Sequence, residues 1–385
     1  MNQESKLLIQ ALGQAVTGKP AGVIPEELDW TAFLKLAKAH NVLGLVYSGI
    51  KDLQLPGEVR QLLFSTYHQE IFKDSQLEYV KDLLEKKLIQ EQIPHIFLKG
   101  AVLKYNYPIP ALRTMSDLDV LVYTRDYDRL DEACTGLGAQ MFTSDGNHRN
   151  YQFPGGVLVE CHPNIVHHAS PVAAGVNPGW QYAKPDCPTS AVELTEEGFY
   201  LSMICHMADH FVSGGIGVRF VLDVWVFRNL RKEPVDWTFV EGELERFGLL
   251  AFTKKIEQLA QVWFGDGESN PVMEELAEYI LTSGSHGTAQ REMLNAVSLS
   301  KGGNRKSVLW SKVFYPRAEL EDRFPWAKGK PWLLPAAWCA RAYKAVTIHG
   351  SHIREWSKKT GDISEKEVAQ QREKLARFGI ERKQK

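Results

Sequence analysis

The chain has little of anything that would give its function away by composition. It carries no charge excess: 45 Lys and Arg stand against 47 Asp and Glu, a formal net charge of -2. That removes the overall basic field by which nucleic-acid binders announce themselves. Cysteine is sparse, five in all, at positions 134, 161, 187, 205 and 339. The number is odd and no C-x-x-C occurs, which favours free thiols in a reducing compartment over a disulfide framework or a zinc ribbon. No apolar run approaches the roughly 20 residues of a membrane span, and the first residues lead into a mixed helix rather than a signal-peptide core. A cytoplasmic protein is expected. Walker A, G-x-G-x-x-G after a strand, and the serine-hydrolase elbow are all missing, which removes the commoner phosphate, dinucleotide and acyl-transfer readings. Internal repeats and low-complexity tracts are missing too.

What is present is concentrated in Met115-Ser116-Asp117-Leu118-Asp119-Val120-Leu121-Val122. In a strand, residues i and i+2 share a face, so Asp117 and Asp119 present two carboxylates together while Leu118 and Val120 point into a core. Like charges that close repel unless a cation lies between them. Mg²⁺ takes one or two carboxylates and leaves positions for substrate phosphates. Alone, such a pair is also the ordinary start of a surface strand. Two neighbours shift the balance. Ile96–Leu98 is an apolar run broken by Lys99-Gly100, where a glycine allows close backbone approach to a phosphate and a new helix offers its N–H groups; Lys99 adds a charge. In Gly156–His162 the period of two puts Leu158, Glu160 and His162 on one face, so that Glu160 supplies a third carboxylate.

Periodicity organises the rest. Residues 4–92 read as helices, with Leu7, Leu8, Ala11, Leu12 and Val16 on one face, a second helix beginning at Pro25-Glu26-Glu27, and a third from about Glu58 to Gln92. From Ile93 the period changes to two: strands at 94–98, 117–123, 139–143, 148–153 and 156–162, with helices at 100–105 and 126–136. Pro178, Pro185 and Pro188 mark a linker over 178–190, helical spacing returns from Val192 to about Ser298, and Lys301-Gly302-Gly303-Asn304 reads as a break. The charged stretch from Ser364 reads as a solvated or frayed helix. The expected class is α+β: a small mixed sheet flanked by helical regions, divided as 1–92, 93–180, 190–300 and 301–385.

Strand, Gly turn, short helix, S-D-x-D strand and a later acidic strand resemble the polymerase-β-like nucleotidyltransferases. More narrowly, L-K-G-A at Leu98–Ala101, R-x-x-S-D-x-D at Arg113–Asp119 and E-x-H at Glu160–His162 are similar to a bacterial branch known as uncharacterised nucleotidyltransferases. Asp29-Trp30 with Leu36–Val42, and Phe314–Pro316 with Pro335–Arg341, resemble its flanking regions. The resemblance implies Mg²⁺ (or Mn²⁺) on Asp117, Asp119 and Glu160, and an NTP donor, ATP foremost, held by Lys99, Gly100, Ala101, Arg113 and Ser116. A small-molecule acceptor and pyrophosphate release follow from it. One departure is Ala101, where the wider superfamily carries a serine or glycine; another is the spacing of 17 between Gly100 and Asp117.

Secondary constellations remain open. His206 and His210 share a helical face; they read as a zinc pair, as structural histidines, or as cleft-lining residues like the His pairs of the resembling branch. Arg219 and Asp223 read either as an i,i+4 ion pair or as polar groups near the acceptor. His162 shares the face of Glu160, His167 and His168 read as loop residues, and Arg149 after His148 reads as a phosphate contact or a surface hairpin. The competing functions are a D-x-D glycosyltransferase, a tRNA-modifying nucleotidyltransferase toxin, and a non-catalytic nucleotide-binding module. A basic cleft would favour the toxin, and a small acidic or apolar pocket would count against it.

Overall fold

The computed structural model describes residues 1–20, 22–145, 148–166, 178–285, 287–300, 317, 320–321, 324–341, 343 and 363–381. Helix α1, Gln3–Thr17, opens with the Asn2 side chain accepting from the Ser5 amide (3.0 Å) and closes at left-handed Gly18. It buries the expected face of Leu7, Leu8, Ala11, Leu12 and Val16. Helix α2, Trp30–Ala39, begins five residues later than Pro25 would suggest, because Asp29 caps it by accepting from the Ala32 amide, and a short Asp side chain is a better N-cap than the Pro-Glu-Glu run. Helix α3, Leu43–Ile50, has no polar face to betray it. The 34-residue α4, Gly57–Gln90, follows Pro56.

The sheet that follows is mixed, with spatial order β1, β2, β5, β4, β3. These are His95–Phe97, Asp117–Val122, Leu158–His162, His148–Gln152 and Gln140–Asp145 respectively. Strand β2 runs antiparallel to β1 and parallel to β5, and the register places Asp119 directly beside Glu160. Between β1 and β2 comes the one-turn helix α5, Gly100–Leu103; α6, Tyr127–Gly136, joins β2 to β3. The stretch from 178 to 190 is not a plain linker. Trp180 stacks on Tyr123 with centroids 4.0 Å apart. Ser190 and Val192 bond to both backbone groups of His95 (3.0 and 2.9 Å), which covers the open edge of β1 and removes its unpaired N–H and C=O groups.

Six further helices, α7 to α12, run Glu196–Val212, Val218–Leu230, Trp237–Phe247, Leu250–Phe264, Pro271–Leu281 and Ala289–Leu299. Thr195, Asp236, Asn270 and Thr288 cap four of them through side-chain oxygens. The expected break at 301–304 lies outside the described residues. The charged helix Glu365–Arg377 is not frayed: it carries a Ser364–Glu367 capping box and buries Val368, Gln371 and Leu375. Gln371 donates to Asn295 at 2.7 Å, and Phe378 packs against Phe211 and Tyr279.

Two large apolar cores and two small ones form among the described residues. Of the large pair, one joins α1–α3 to the inner faces of α7, α8, α10 and α11, so the N-terminal and later helices share an interior. The other fills the space between the sheet, α4 and α6. No helix among the described residues is long and apolar enough to cross a membrane.

The crossing of α1 and α3 depends on Gly49. A Cβ there would sit 1.9 Å from the Ala11 carbonyl oxygen, a backbone atom that cannot yield. Gly→Ala inside a helix ordinarily stabilises by up to about 1 kcal/mol. Here we expect the sign to invert, with Gly49→Ala lowering unfolding free energy by about 2–3 kcal/mol. Urea denaturation decides it, and an unchanged or raised midpoint would refute the close crossing.

Candidate active site

The turn between β1 and β2 sets the geometry. Ala101 donates its N–H to the Leu98 carbonyl at 3.2 Å, and Lys99 sits at φ 51°, ψ -120°. Those angles belong to the first central position of a type II′ turn, a place normally held by glycine. A lysine in this region costs on the order of 1–3 kcal/mol. The compensation is electrostatic: Lys99 Nζ reaches Asp119 Oδ1 at 2.6 Å, with both side chains largely withdrawn from solvent. The residue with the special backbone is therefore Lys99 rather than Gly100. Gly100 is required for a different reason, since a Cβ there would meet Arg113 Nη1 at 2.2 Å and Met115 Sδ at 2.4 Å.

Strand β2 presents Asp117 and Asp119 to the same side while Leu118 and Val120 are fully buried. The two carboxyls titrate as a pair. Burial first, and then the charge of Asp119, push Asp117 up to about 6. Burial also opposes the charge on Asp119, but the Lys99 ammonium and the His162 imidazole outweigh it and hold Asp119 well below the usual carboxylate range. His162 is 4% exposed. Its Nδ1 lies 2.5 Å from the Asn164 carbonyl and its Nε2 3.5 Å from Asp119 Oδ1. Beside Asp119 on β5, Glu160 lies 3.5 Å from His148 Nδ1; that hydrogen bond is the main reason its pKa is lowered.

The helical layer supplies the opposite wall. Asp223 on α8 is 3% exposed and is gripped in a fork by Arg113, with Nη2 at 2.7 Å and Nε at 3.2 Å. Tyr107 donates to the same carboxylate at 2.6 Å. Such bidentate pairs are the strong ones. Arg219 does not pair with Asp223 as the i,i+4 spacing suggests; it donates to the Thr114 carbonyl (2.6 Å) and hydroxyl (3.0 Å). Burial and the nearby Arg113 bring its pKa down to about 10. His206 and His210 on α7 face one another with Nε2 atoms 2.9 Å apart. Burial, then Lys99 and His210, keep His206 neutral, its pKa pushed well below the ordinary value.

These walls enclose a cavity of about 210 Å³ lined by Lys99, Gly100, Arg113, Ser116, Asp117, Asp119, Glu160, His206, His210, Arg219 and Asp223, together with apolar Phe199, Met203 and Phe220. Of the residues singled out from sequence, two fall outside the lining. His162 stands behind Asp119. Ala101 turns its methyl into the core between sheet and α4, and its amide closes the turn, so it offers no phosphate contact. Arg149 is also elsewhere, paired with Asp131 at 3.3 Å over the Tyr127 ring. His167 and His168 lie outside the described residues. Sequence reading missed Tyr107, which stands in no charged motif, and Thr114 and Phe220, which fill the unspecified positions of R-x-x-S-D-x-D and of the Arg219–Asp223 pair. It also missed Glu70, whose carboxyl burial pushes up to about 7 and which accepts from the Gly44 amide at 3.3 Å.

Among the described residues no three His, Cys, Asp or Glu side chains converge as a ready metal cage. A hard divalent cation needs only one or two carboxylates, with substrate oxygens completing its shell. The strained titration of Asp117 is the specific sign of fit. Lys99 alone does not offset two adjacent carboxylates, and a divalent ion would.

A family model described as "Uncharacterised nucleotidyltransferase" matches residues 26–265. Among curated proteins and among solved structures nothing matches the chain.

The raised pKa of Asp117 is a cost to the fold with a definite sign. An acid titrating near 6 when folded and near about 3.9 when unfolded binds more protons in the folded state between those values, so stability falls as pH rises through that window and the penalty is full above it. In metal-free buffer Asp117→Asn should therefore raise the unfolding free energy at about pH 8 by about 1–3 kcal/mol. The gain should vanish near about pH 3.5. Paired urea titrations measure this; a destabilised variant at the higher pH would contradict the carboxylate repulsion.

Proposed function

Because the chain belongs to the uncharacterised nucleotidyltransferase family, its matched span covering most of the residues, we propose that it transfers a nucleoside monophosphate from an NTP to a hydroxyl or phosphate of a small acceptor, releasing pyrophosphate. The observation that carries the reading is the placement of Asp117, Asp119 and Glu160 on adjacent parallel strands at the floor of one cavity. Asp117 and Asp119 would hold Mg²⁺, with Glu160 beside them as a further ligand or as the group that takes the acceptor's proton. When bound, such an ion neutralises charge on the transferring phosphoryl group and aligns the displacement. Lys99 brings its ammonium to the same point, and the Gly100 backbone lines the cavity where a phosphate would lie. Arg113 is committed to Asp223, so its role is to fix the α8 wall rather than to grip phosphate. Ser116, exposed at the rim, is placed to contact the nucleotide as it enters.

The cavity's size and lining favour a small acceptor. At about 210 Å³ it is below the roughly 300–1,000 Å³ of complete ligand pockets, so it takes the reacting ends of two substrates and not a polymer. Its charged lining contains one more carboxylate than cations, with five apolar side chains (Leu103, Met115, Phe199, Met203 and Phe220) between them. A tRNA acceptor calls for the reverse sign. A glycosyltransferase or a non-catalytic binding module is disfavoured by the family match and by the retention of all three carboxylates, respectively. His206, held neutral, and His210 line the cavity from the helical layer and would contact the acceptor.

The test combines binding and turnover. ATP, GTP, CTP and UTP are titrated calorimetrically with and without Mg²⁺, and pyrophosphate release is followed with candidate acceptors. Wild type should bind at least one NTP only in the presence of Mg²⁺. Asp117→Asn should lose binding by about 100-fold or more and abolish transfer, even though that variant is expected to be the more stable protein. Undiminished Mg²⁺-dependent binding by Asp117→Asn would end the assignment of this cavity.

A further inference from the structure

On the other side of the α5 turn lies a second, larger cavity of about 380 Å³, which the nucleotidyl-transfer reading does not use. Its floor is β1 and its roof is the segment that covers the β1 edge. One wall is α4 and another is α7, whose Phe199 ring lines both this cavity and the candidate active site. Six charged side chains border it. Four of them neutralise one another: Lys184 with Glu193 at 2.7 Å, and Arg231 with Glu196. The remaining two, Lys81 and Glu85, stand one turn apart on α4 but are not paired with each other.

Lys81 is 15% exposed at its side chain, its ammonium 5.5 Å from the centre of the Phe97 ring. Its nearest carboxylate is the largely exposed Asp82, at 4.0 Å. Among the described residues Glu85 makes no ion pair and no hydrogen bond. A third group adds direction. His95 is 1% exposed; its Nδ1 lies 2.9 Å from the Ile93 carbonyl, which fixes the proton there. That leaves Nε2 as an acceptor, buried and without a partner. Buried acceptors are nearly always satisfied, and an exception calls for an absent donor. Phe97, Val102, Leu194 and Phe199 supply the apolar remainder of the lining.

We propose that this cavity is a binding site for a small zwitterion of the free α-amino-acid type. Lys81 takes the carboxylate, Glu85 takes the ammonium, and His95 Nε2 accepts a further N–H or O–H, while the ligand's side chain lies against Phe97 and Phe199. A cation whose ion-pair neighbour is the largely exposed Asp82 at 4.0 Å, and an anion with no ion pair among the described residues, a helical turn apart, match a ligand of zero net charge carrying both signs. A purely anionic or purely cationic ligand would leave one of them unpaired and desolvated. The site is separate from Asp117 and Asp119, so it stands whether or not nucleotidyl transfer is the reaction.

The experiment screens the twenty standard L-amino acids singly, at millimolar concentration, for thermal stabilisation of the full chain, and titrates the best by calorimetry. At least one should bind, and the same compound lacking its carboxylate, or lacking its amino group, should bind about tenfold more weakly or worse. Lys81→Met and Glu85→Gln should each reproduce that loss while leaving Mg²⁺-dependent NTP binding unchanged. The proposal is overturned if no amino acid binds. It is equally overturned if the decarboxylated and deaminated analogues bind as well as the parent, or if binding survives both substitutions.

Discussion

Two carboxylates on one face of a buried strand is an arrangement that a fold resists, and much of this molecule is organised around that resistance. Asp117 and Asp119 repel, and burial raises the cost of both charges. The nearest relief is the Lys99 ammonium, whose delivery requires a lysine in a backbone region that favours glycine. His162 brings its ring from β5 to 3.5 Å from Asp119, a position set by the parallel register of β5 on β2. Even so the relief is incomplete, since Asp117 still titrates near 6. Strain of this kind persists where the surrounding structure over-determines it, and here the determinants are the sheet register below and the helical layer above.

That helical layer is held to the sheet by a polar lock at least as much as by apolar packing. Arg113 and Tyr107 leave the loop before β2 and close on Asp223 of α8, while Arg219 of the same helix reaches back to Thr114. Thr114 in turn donates to the Asn41 carbonyl at 2.9 Å. One loop is thus tied to α8 and to the end of α2, which explains why the α1–α3 helices and the later helices share a core. A buried ion pair of this type contributes little net stability against a hydrophobic replacement, but losing one partner leaves a costly charge. Its effect is to fix a distance, namely the width of the cavity between β2 and α8.

Much of the sheet side was readable from the chain. The i,i+2 spacing of Asp117 and Asp119, and the alternation that puts Glu160 and His162 together, are local rules that tertiary context had no means to reverse without exposing Leu118, Val120 and Cys161. The helical side was read less well, for identifiable reasons. Arg219 and Asp223 satisfy the i,i+4 rule, but Arg113, 110 positions away, offers a two-pronged contact that a single helix-surface pair does not match. The Lys99-Gly100 pair does not reveal which residue carries the positive φ; the backbone gives it to Lys99, while Gly100 is needed because a Cβ there would meet Arg113 and Met115. Helix α3 has no alternation to detect, and the charge of Glu365–Arg377 hides three buried side chains.

The charge balance of the cavity constrains any substrate that enters it. Lys99, Arg113 and Arg219 face Asp117, Asp119, Glu160 and Asp223, and the paired histidines opposite include His206, which is held neutral. Arg113 and Asp223 cancel within their own fork, and Lys99 is spent on Asp119. What is left for a newcomer is Arg219 against Asp117 and Glu160. A polyphosphate is repelled by such a surface unless it arrives with its own counter-ion or displaces Lys99 from Asp119 onto itself. Both exchanges would start from the same ion pair: a cation that took over Asp119 would free the Lys99 ammonium for the phosphate. On the proposed reading, the Lys99–Asp119 contact is therefore the resting form of the site, holding the acidic floor together until substrate and cation replace it.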